Sequence, residues 1–186
     1  MGQEDLKNIQ IQIETATEEH IPTIIKIEEQ SWVSTYPNQE AGITKEDVRA
    51  RFSSDFKAKR AAEIKAEMGS GHRYRVLIKD RNVIGYSHLL QEEDYNDFVE
   101  AYLLDEYHGH GYGGALLRDG LSWFGNNKPT RLEVATHNAH AKAIYGHFGF
   151  QENPMLRQAP GEDWNVLPSG RRIPVIFMER PQGTVI

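Results

Sequence analysis

The chain has 186 residues, of which 39% are hydrophobic, a formal net charge of −6 and no cysteine. That length suits one domain with a buried core, and the mixed charge is that of a globular chain rather than a disordered one. The acidic balance disfavours nucleic acid as a partner and suits a cationic, amine-bearing one, while the lack of thiols excludes both a cysteine acyl-enzyme and a disulfide framework.

Residues 1–8 read as a polar tail without the marks of a signal peptide, and Leu6 supplies no hydroxyl for myristoylation. No run approaches ~18 apolar residues, so no membrane span is expected and the location predicted is cytoplasmic. A strand over residues 9–15 leads to Thr17, which caps a helix with the apolar set Ile21, Ile24, Ile25 and Ile27 running to Trp32. Pro22 falls in its first turns, where proline is tolerated. Thr44 and Asp47 then open a second helical region through Met68, stopped by Gly69; its charged stretch 57–67 reads as a solvated face. Tyr74, Val76 and Ile78 alternate with polar residues, and Asp80-Arg81-Asn82 turns the chain into residues 83–90, giving a hairpin of half-buried strands.

The acidic run 92–97 precedes a short strand, 98–104, and then comes Tyr107-His108-Gly109-His110-Gly111-Tyr112-Gly113-Gly114-Ala115-Leu116-Leu117. Strand, glycine loop and helix start form an arrangement in which backbone N–H groups converge on an anion, helped by the helix dipole. Glycine allows close approach and the positive φ values of such a nest. A pyrophosphate-bearing cofactor follows. A P-loop is disfavoured because Ala115 and Leu116 stand where lysine and a hydroxyl are needed. The run does satisfy Gly-x-Gly-x-x-Gly with Glu133 roughly in range, but it lies past mid-chain and leaves little room for a second mononucleotide half.

A second constellation follows in residues 131–150. Leu132 and Val134 mark a strand, Asn138 is a good N-cap, and residues 139–148 make a helix that Gly149 can close. Asn138, Lys142 and Tyr145 share one face of it. Beyond Phe150, strands to about residue 156 and over 173–179 bracket a Pro/Gly-rich loop, 158–172, which carries Trp164. No metal site is expected: His140 and His147 are seven apart, too far for the i, i+4 pair of zinc sites, and no cysteine assists them or His137.

Together the two stretches resemble the GNAT superfamily of acyl-CoA-dependent N-acetyltransferases. The family's cofactor motif, Gln/Arg-x-x-Gly-x-Gly/Ala, is occupied by His108-Gly109-His110-Gly111-Tyr112-Gly113, with histidine replacing the usual first residue. Its later motif, Asn-x-x-Ala-x-x-x-Tyr-x-x-x-Gly-Phe, is matched by Asn138, Ala141, Tyr145, Gly149 and Phe150; Ser31-Trp32-x-x-Thr35-Tyr36 is also a frequent element of the family. The resemblance covers roughly residues 9–180, taken as a single domain, with 181–186 a second tail. It implies an α/β fold (an α+β mixed sheet) in the order β-α-α-β-β-β-α-β-α-β-β, with helices on both faces and splayed central strands.

The resemblance also implies roles. Acetyl-CoA is the co-substrate, with Ala101, Tyr102 and Leu103 offering backbone groups to the pantetheine arm, the amide near Leu103 stabilising the oxyanion, and the loop from His108 through Gly109, His110, Gly111, Tyr112, Gly113 and Gly114 holding the pyrophosphate. Asn138 and Lys142 are further cofactor candidates. Tyr145 is the expected proton donor to the leaving sulfur, since a phenol with pKa about 10 is protonated at neutral pH. Glu133, twelve residues earlier, has the spacing of the glutamate in ribosomal-protein N-acetyltransferases of the family; Glu100 is the rival base, and a water chain the third option. The expected acceptor is a small amine or polyamine. A protein N-terminal or lysine acetyltransferase and a non-catalytic CoA-binding module are the alternatives, and a homodimer is compatible with all of them.

Overall fold

The alternating residues either side of Asp80-Arg81 fold into a hairpin with a two-residue turn, in which Lys79 faces Asn82 and both turn residues take positive φ. That geometry matches the right-handed twist of the flanking strands. The computed structural model describes residues 11–157 and 163–185. The hairpin strands are β2 (His72–Lys79) and β3 (Asn82–Gln91); β1 (Ile11–Thr15) pairs with β2, and β4 (Asn96–Leu103) with β3, all antiparallel. The first two residues expected in β1, and the tail before it, lie outside the described residues.

Four expected boundaries are corrected. Thr17 caps a short 3-10 turn, Glu18–His20, and helix α1 (Ile21–Thr35) follows it with Pro22 in its first turn. The second helical region is two helices, α2 (Lys45–Arg51) and α3 (Ser54–Glu67). Ser53 accepts a hydrogen bond from Phe56 N–H and so starts a fresh helix where the first had ended at Phe52, a local side-chain alternative to continuing the helix. At the other end, the strand after Phe150 shrinks to β6 (Gln151–Glu152), because Asn153 accepts from Met155 N–H in a turn that Pro154 reinforces. Pro174 likewise delays the last strand, β7, to Val175–Arg180. The helix count thus rises by one while the expected mixed α/β order is otherwise kept.

Helix α4 (Tyr112–Phe124) lies against the sheet through Leu117 and Leu121, which pack with Leu89, Phe98, Leu132, Val134 and Phe148. Gly120 makes this approach possible, since a Cβ there would stand 2.6 Å from the Phe98 ring. On the opposite face α1 and α3 bury Ile24, Ile27 and Ile64 against Tyr74, Val76 and Tyr86. Between them β5 (Thr130–Ala135) runs parallel to β4, and α5 (Ala139–His147) follows it. The seven strands are ordered β1-β2-β3-β4-β5-β7-β6.

One break in this sheet matters for function. β4 and β5 pair only at Asn96–Thr130 and Asp97–Arg131, then separate while each continues, β4 to Leu103 and β5 to Ala135. An extra residue in β4 accompanies the parting: His88 faces Glu100 and Leu89 faces Phe98, leaving Val99 as a bulge.

Candidate active site

The parting of β4 and β5 leaves part of one strand edge without a neighbour. Leu104 N–H donates to Ile84 C=O, and peptide groups alternate in direction along a strand, so those of Ala101 and Leu103 point away from β3 into the gap. The peptide groups of Tyr102 turn toward β3 instead, where it faces Tyr86. Its contribution to the cleft is therefore its side chain, a difference from the backbone role expected for it.

At the end of β4 the glycine loop enters α4. Gly109 and Gly111 have φ of 80° and 79°, and Gly111 is the residue that caps the helix in this left-handed conformation. A Cβ on Gly109, Gly111 or Gly113 would meet nothing within 4 Å, so each glycine faces open space beside the N–H groups that a helix start leaves without intrahelical partners. This cradle fits a phosphate. Gly114 lies deeper, beside the Phe148 ring. His108 turns its Nε2 to within 3.0 Å of Leu103 C=O and stacks 5.8 Å from His140, joining the loop to the end of β4 and to α5. The ring of His110 lies 5.6 Å from Tyr112.

Helix α5 starts where Asn138 accepts a hydrogen bond from Ala141 N–H, so this side chain is engaged in capping. Lys142 is half-buried on the same helix. Tyr145, one turn further along, packs against Phe150, and burial pushes its hydroxyl up to about 12. It is protonated throughout the neutral range. It is also close enough to Tyr36 for the charge of one to oppose ionisation of the other.

Across the gap the walls are aromatic. Trp32 Nε1 donates to Tyr102 Oη at 2.9 Å, and the Tyr36 and Tyr102 hydroxyls are 3.2 Å apart. Trp164 packs edge-on to Trp32 at 5.8 Å, and the Arg51 guanidinium covers Trp32 at 4.4 Å. Glu133 borders this aromatic cluster, where it accepts from Trp164 Nε1 at 3.0 Å. Glu100 has other company. Burial opposes its charge, but Arg60, which meets both of its oxygens at 2.7 and 2.8 Å, more than offsets this and brings it down to about 2. Arg60 also donates to the buried Glu28 at 3.2 Å, and there burial and the Glu100 charge prevail, raising Glu28 to about 7.

The structure thus gathers Ala101, Leu103, the glycine loop and Tyr145 around one gap, with Glu133 on the adjoining strand, and leaves Glu100 in a buried ion network. Sequence reasoning assigns no role to Trp32, Tyr36, Trp164 or Arg60. The i, i+4 spacing of Trp32 and Tyr36 is the available signal, but nothing in it reveals the pairing with Tyr102 or Trp164.

Parallel strands β4 and β5 thus part after two residue pairs, and a glycine-capped helix follows β4. The model of the acetyltransferase (GNAT) domain matches residues 70–152, from β2 to β6, so this stretch of the chain is a GNAT acetyltransferase domain. No curated protein matches it by sequence. Among solved structures it is similar to the PaiA N-acetyltransferase of Thermoplasma acidophilum in complex with coenzyme A, at 20% identity and a TM-score of 0.71 over 93% of this chain and 99% of that one. A phosphinothricin acetyltransferase from Sinorhizobium meliloti in complex with AcCoA gives 21% and 0.66 over 93% and 89%. The ribosomal-protein-S18-alanine N-acetyltransferase of Escherichia coli gives 19% and 0.64 over 95% and 97%.

Proposed function

We propose that this acetyltransferase moves an acetyl group from acetyl-CoA directly onto a primary amine, and that the amine is a small cationic molecule. The observation that carries the reading is the convergence on one gap of a phosphate cradle at 109–113, inward-turned peptide groups at Ala101 and Leu103, and a protonated tyrosine. Bound acetyl-CoA supplies an activated thioester acyl group. Gly109 to Gly113 hold its phosphates through backbone N–H groups, and the Ala101 and Leu103 peptides orient the arm. The N–H of Leu103 stabilises negative charge developing on the carbonyl oxygen. Glu133 takes the proton of the attacking amine, and Tyr145 gives its own to the departing sulfur.

The aromatic cluster supports an amine acceptor through its partly buried members, Tyr102 and Trp164, and through the negative charge of Glu133 beside Trp164. Release of CoA thiol is measured with acetyl-CoA against polyamines, single amines and peptides with free N-termini. Turnover is expected with small amines above the peptides. Preference for a peptide transfers the chain to protein acetylation, and no turnover with any acceptor leaves a CoA-binding module.

A further inference from the structure

Where the start of β2 lies beside β3, three side chains converge that the proposed acetyl transfer does not use. Glu67 is the last residue of α3; the turn Met68-Gly69-Ser70-Gly71 folds it back over His72, the first residue of β2, and Met68 bridges to His72. His88 comes from β3, where it faces Tyr74. Nδ1 of His72 lies 2.8 Å from Nε2 of His88, which is 3.9 Å from Oε2 of Glu67, and the three donor atoms all fall within 4.8 Å of one another. Tetrahedral coordination with bonds of 2.0–2.1 Å would place such atoms about 3.4 Å apart, so modest side-chain shifts convert this triangle into a ligand set.

The surroundings favour that use. His88 is 3% exposed, and its ring is clamped face-to-face on Tyr74 at 4.1 Å and 14°. Its other nitrogen, Nδ1, is buried and points toward Glu100 Oε2 at 3.7 Å. A carboxylate on that side favours the Nδ1–H tautomer, which leaves the Nε2 lone pair facing His72 and Glu67. Histidines that bind metals are commonly oriented in this way by a carboxylate behind them. Tyr74 donates its hydroxyl proton to Glu67 Oε2, steadying the carboxylate. Glu67 and His72 are partly open to solvent, giving an entry path.

We propose that Glu67, His72 and His88 bind one divalent transition-metal ion of the zinc class, with water completing the coordination, and that the ion staples the end of α3 to the β2–β3 hairpin. When the ion enters, the proton on Nδ1 of His72 moves to its Nε2 or to solvent, and the three ligands together bear one negative charge. The reading is independent of the acetyl transfer, and no catalytic step uses the ion.

The test uses the full chain stripped with EDTA and titrated with Co²⁺ and then Zn²⁺. One equivalent of Co²⁺ is expected to give visible d–d absorption that Zn²⁺ abolishes, and Zn²⁺ is expected to raise Tm. His72→Gln and Glu67→Gln, both at partly exposed positions, should retain the native circular dichroism spectrum while weakening Zn²⁺ at least 10-fold; His88→Gln should lose the spectrum of bound Co²⁺. His147→Gln, on the exposed end of α5, should change nothing. Absence of stoichiometric binding, or unchanged Zn²⁺ affinity in both His72→Gln and Glu67→Gln, overturns the proposal and leaves a hydrogen-bonded histidine pair.

Discussion

The two sides of the gap are built differently. The side proposed to hold the cofactor is backbone: peptide groups of β4, a glycine loop and a helix start, all within residues 101–114. The side proposed for the acceptor is side chains, drawn from α1, the end of α2, β4, β5 and the segment 163–173, with Trp32, Phe52, Tyr102, Ala135 and Ile173 meeting in one cluster. A backbone site tolerates exchange of most side chains but not loss of its glycines. A side-chain site can be redrawn one residue at a time, which is how one cofactor platform can serve many acceptors.

The largest effect should come from beneath the acceptor side. Arg60→Ala leaves Glu28 and Glu100 buried without their counter-charge, and urea denaturation should show a loss of about 3–5 kcal/mol. A small loss would mean that water relieves these carboxylates. On the cofactor side, Gly111→Val forces a β-branched residue to a φ of 79° and projects methyl groups into the cradle. CoA affinity measured by calorimetry should fall by two orders of magnitude or more, with acceptor-side packing, followed by tryptophan fluorescence, retained. Between the two sides, Tyr145→Phe should lower kcat about 100-fold with little change in CoA affinity, since a general acid acts on the transition state. Near-normal turnover would make Tyr145 a packing residue.

Two smaller effects sharpen the contrast. Glu28 is raised to about 7 in the fold against 4.5 ordinarily, so the folded state binds the extra proton. The stability this contributes is complete below pH 4.5 and is lost as pH rises to about 7. Glu100 has the opposite sign: lowered to about 2, it stabilises above pH 4.5 and ceases to do so as pH falls toward 2. Glu28→Gln should therefore flatten the stability profile between pH 4.5 and 7 and leave the acid limb in place; an unchanged profile in that window removes Glu28 as its cause. Trp164→Phe removes one donor to Glu133 and should reduce kcat/KM for the amine about fivefold, roughly 1 kcal/mol, with CoA binding unaltered.

The same contrast explains what the sequence makes legible. Phosphate cradles require glycine at fixed spacing, and Asn138 and Tyr145 sit at helical intervals, so the cofactor side is written in consecutive residues. The sheet is likewise legible from alternation in β2 and β3. The break at Ser53 and the delays at Asn153 and Pro174 are not, because each depends on one side chain or ring prevailing over a continuing periodic pattern. Nor is the fate of Glu100. Both candidate carboxylates read alike on their strands, and Arg60, forty residues away on another element, is the contact that draws Glu100 into an ion network. Trp164 reaches Glu133 across thirty-one positions and leaves no periodic trace.

The brief pairing of β4 with β5 also has a mechanical consequence. Two residue pairs join a leaf of four strands to a leaf of three, so the sheet is articulated at Asn96–Thr130 and Asp97–Arg131. Ridged contacts from α4 to both leaves resist folding about that line, while nothing in the ladder does so beyond residue 97. Motions of the molecule should therefore resolve into two plates rocking about a short axle. In hydrogen exchange, amides within each plate would open as separate cooperative units, and those of residues 101 and 103, at the open edge, would exchange first.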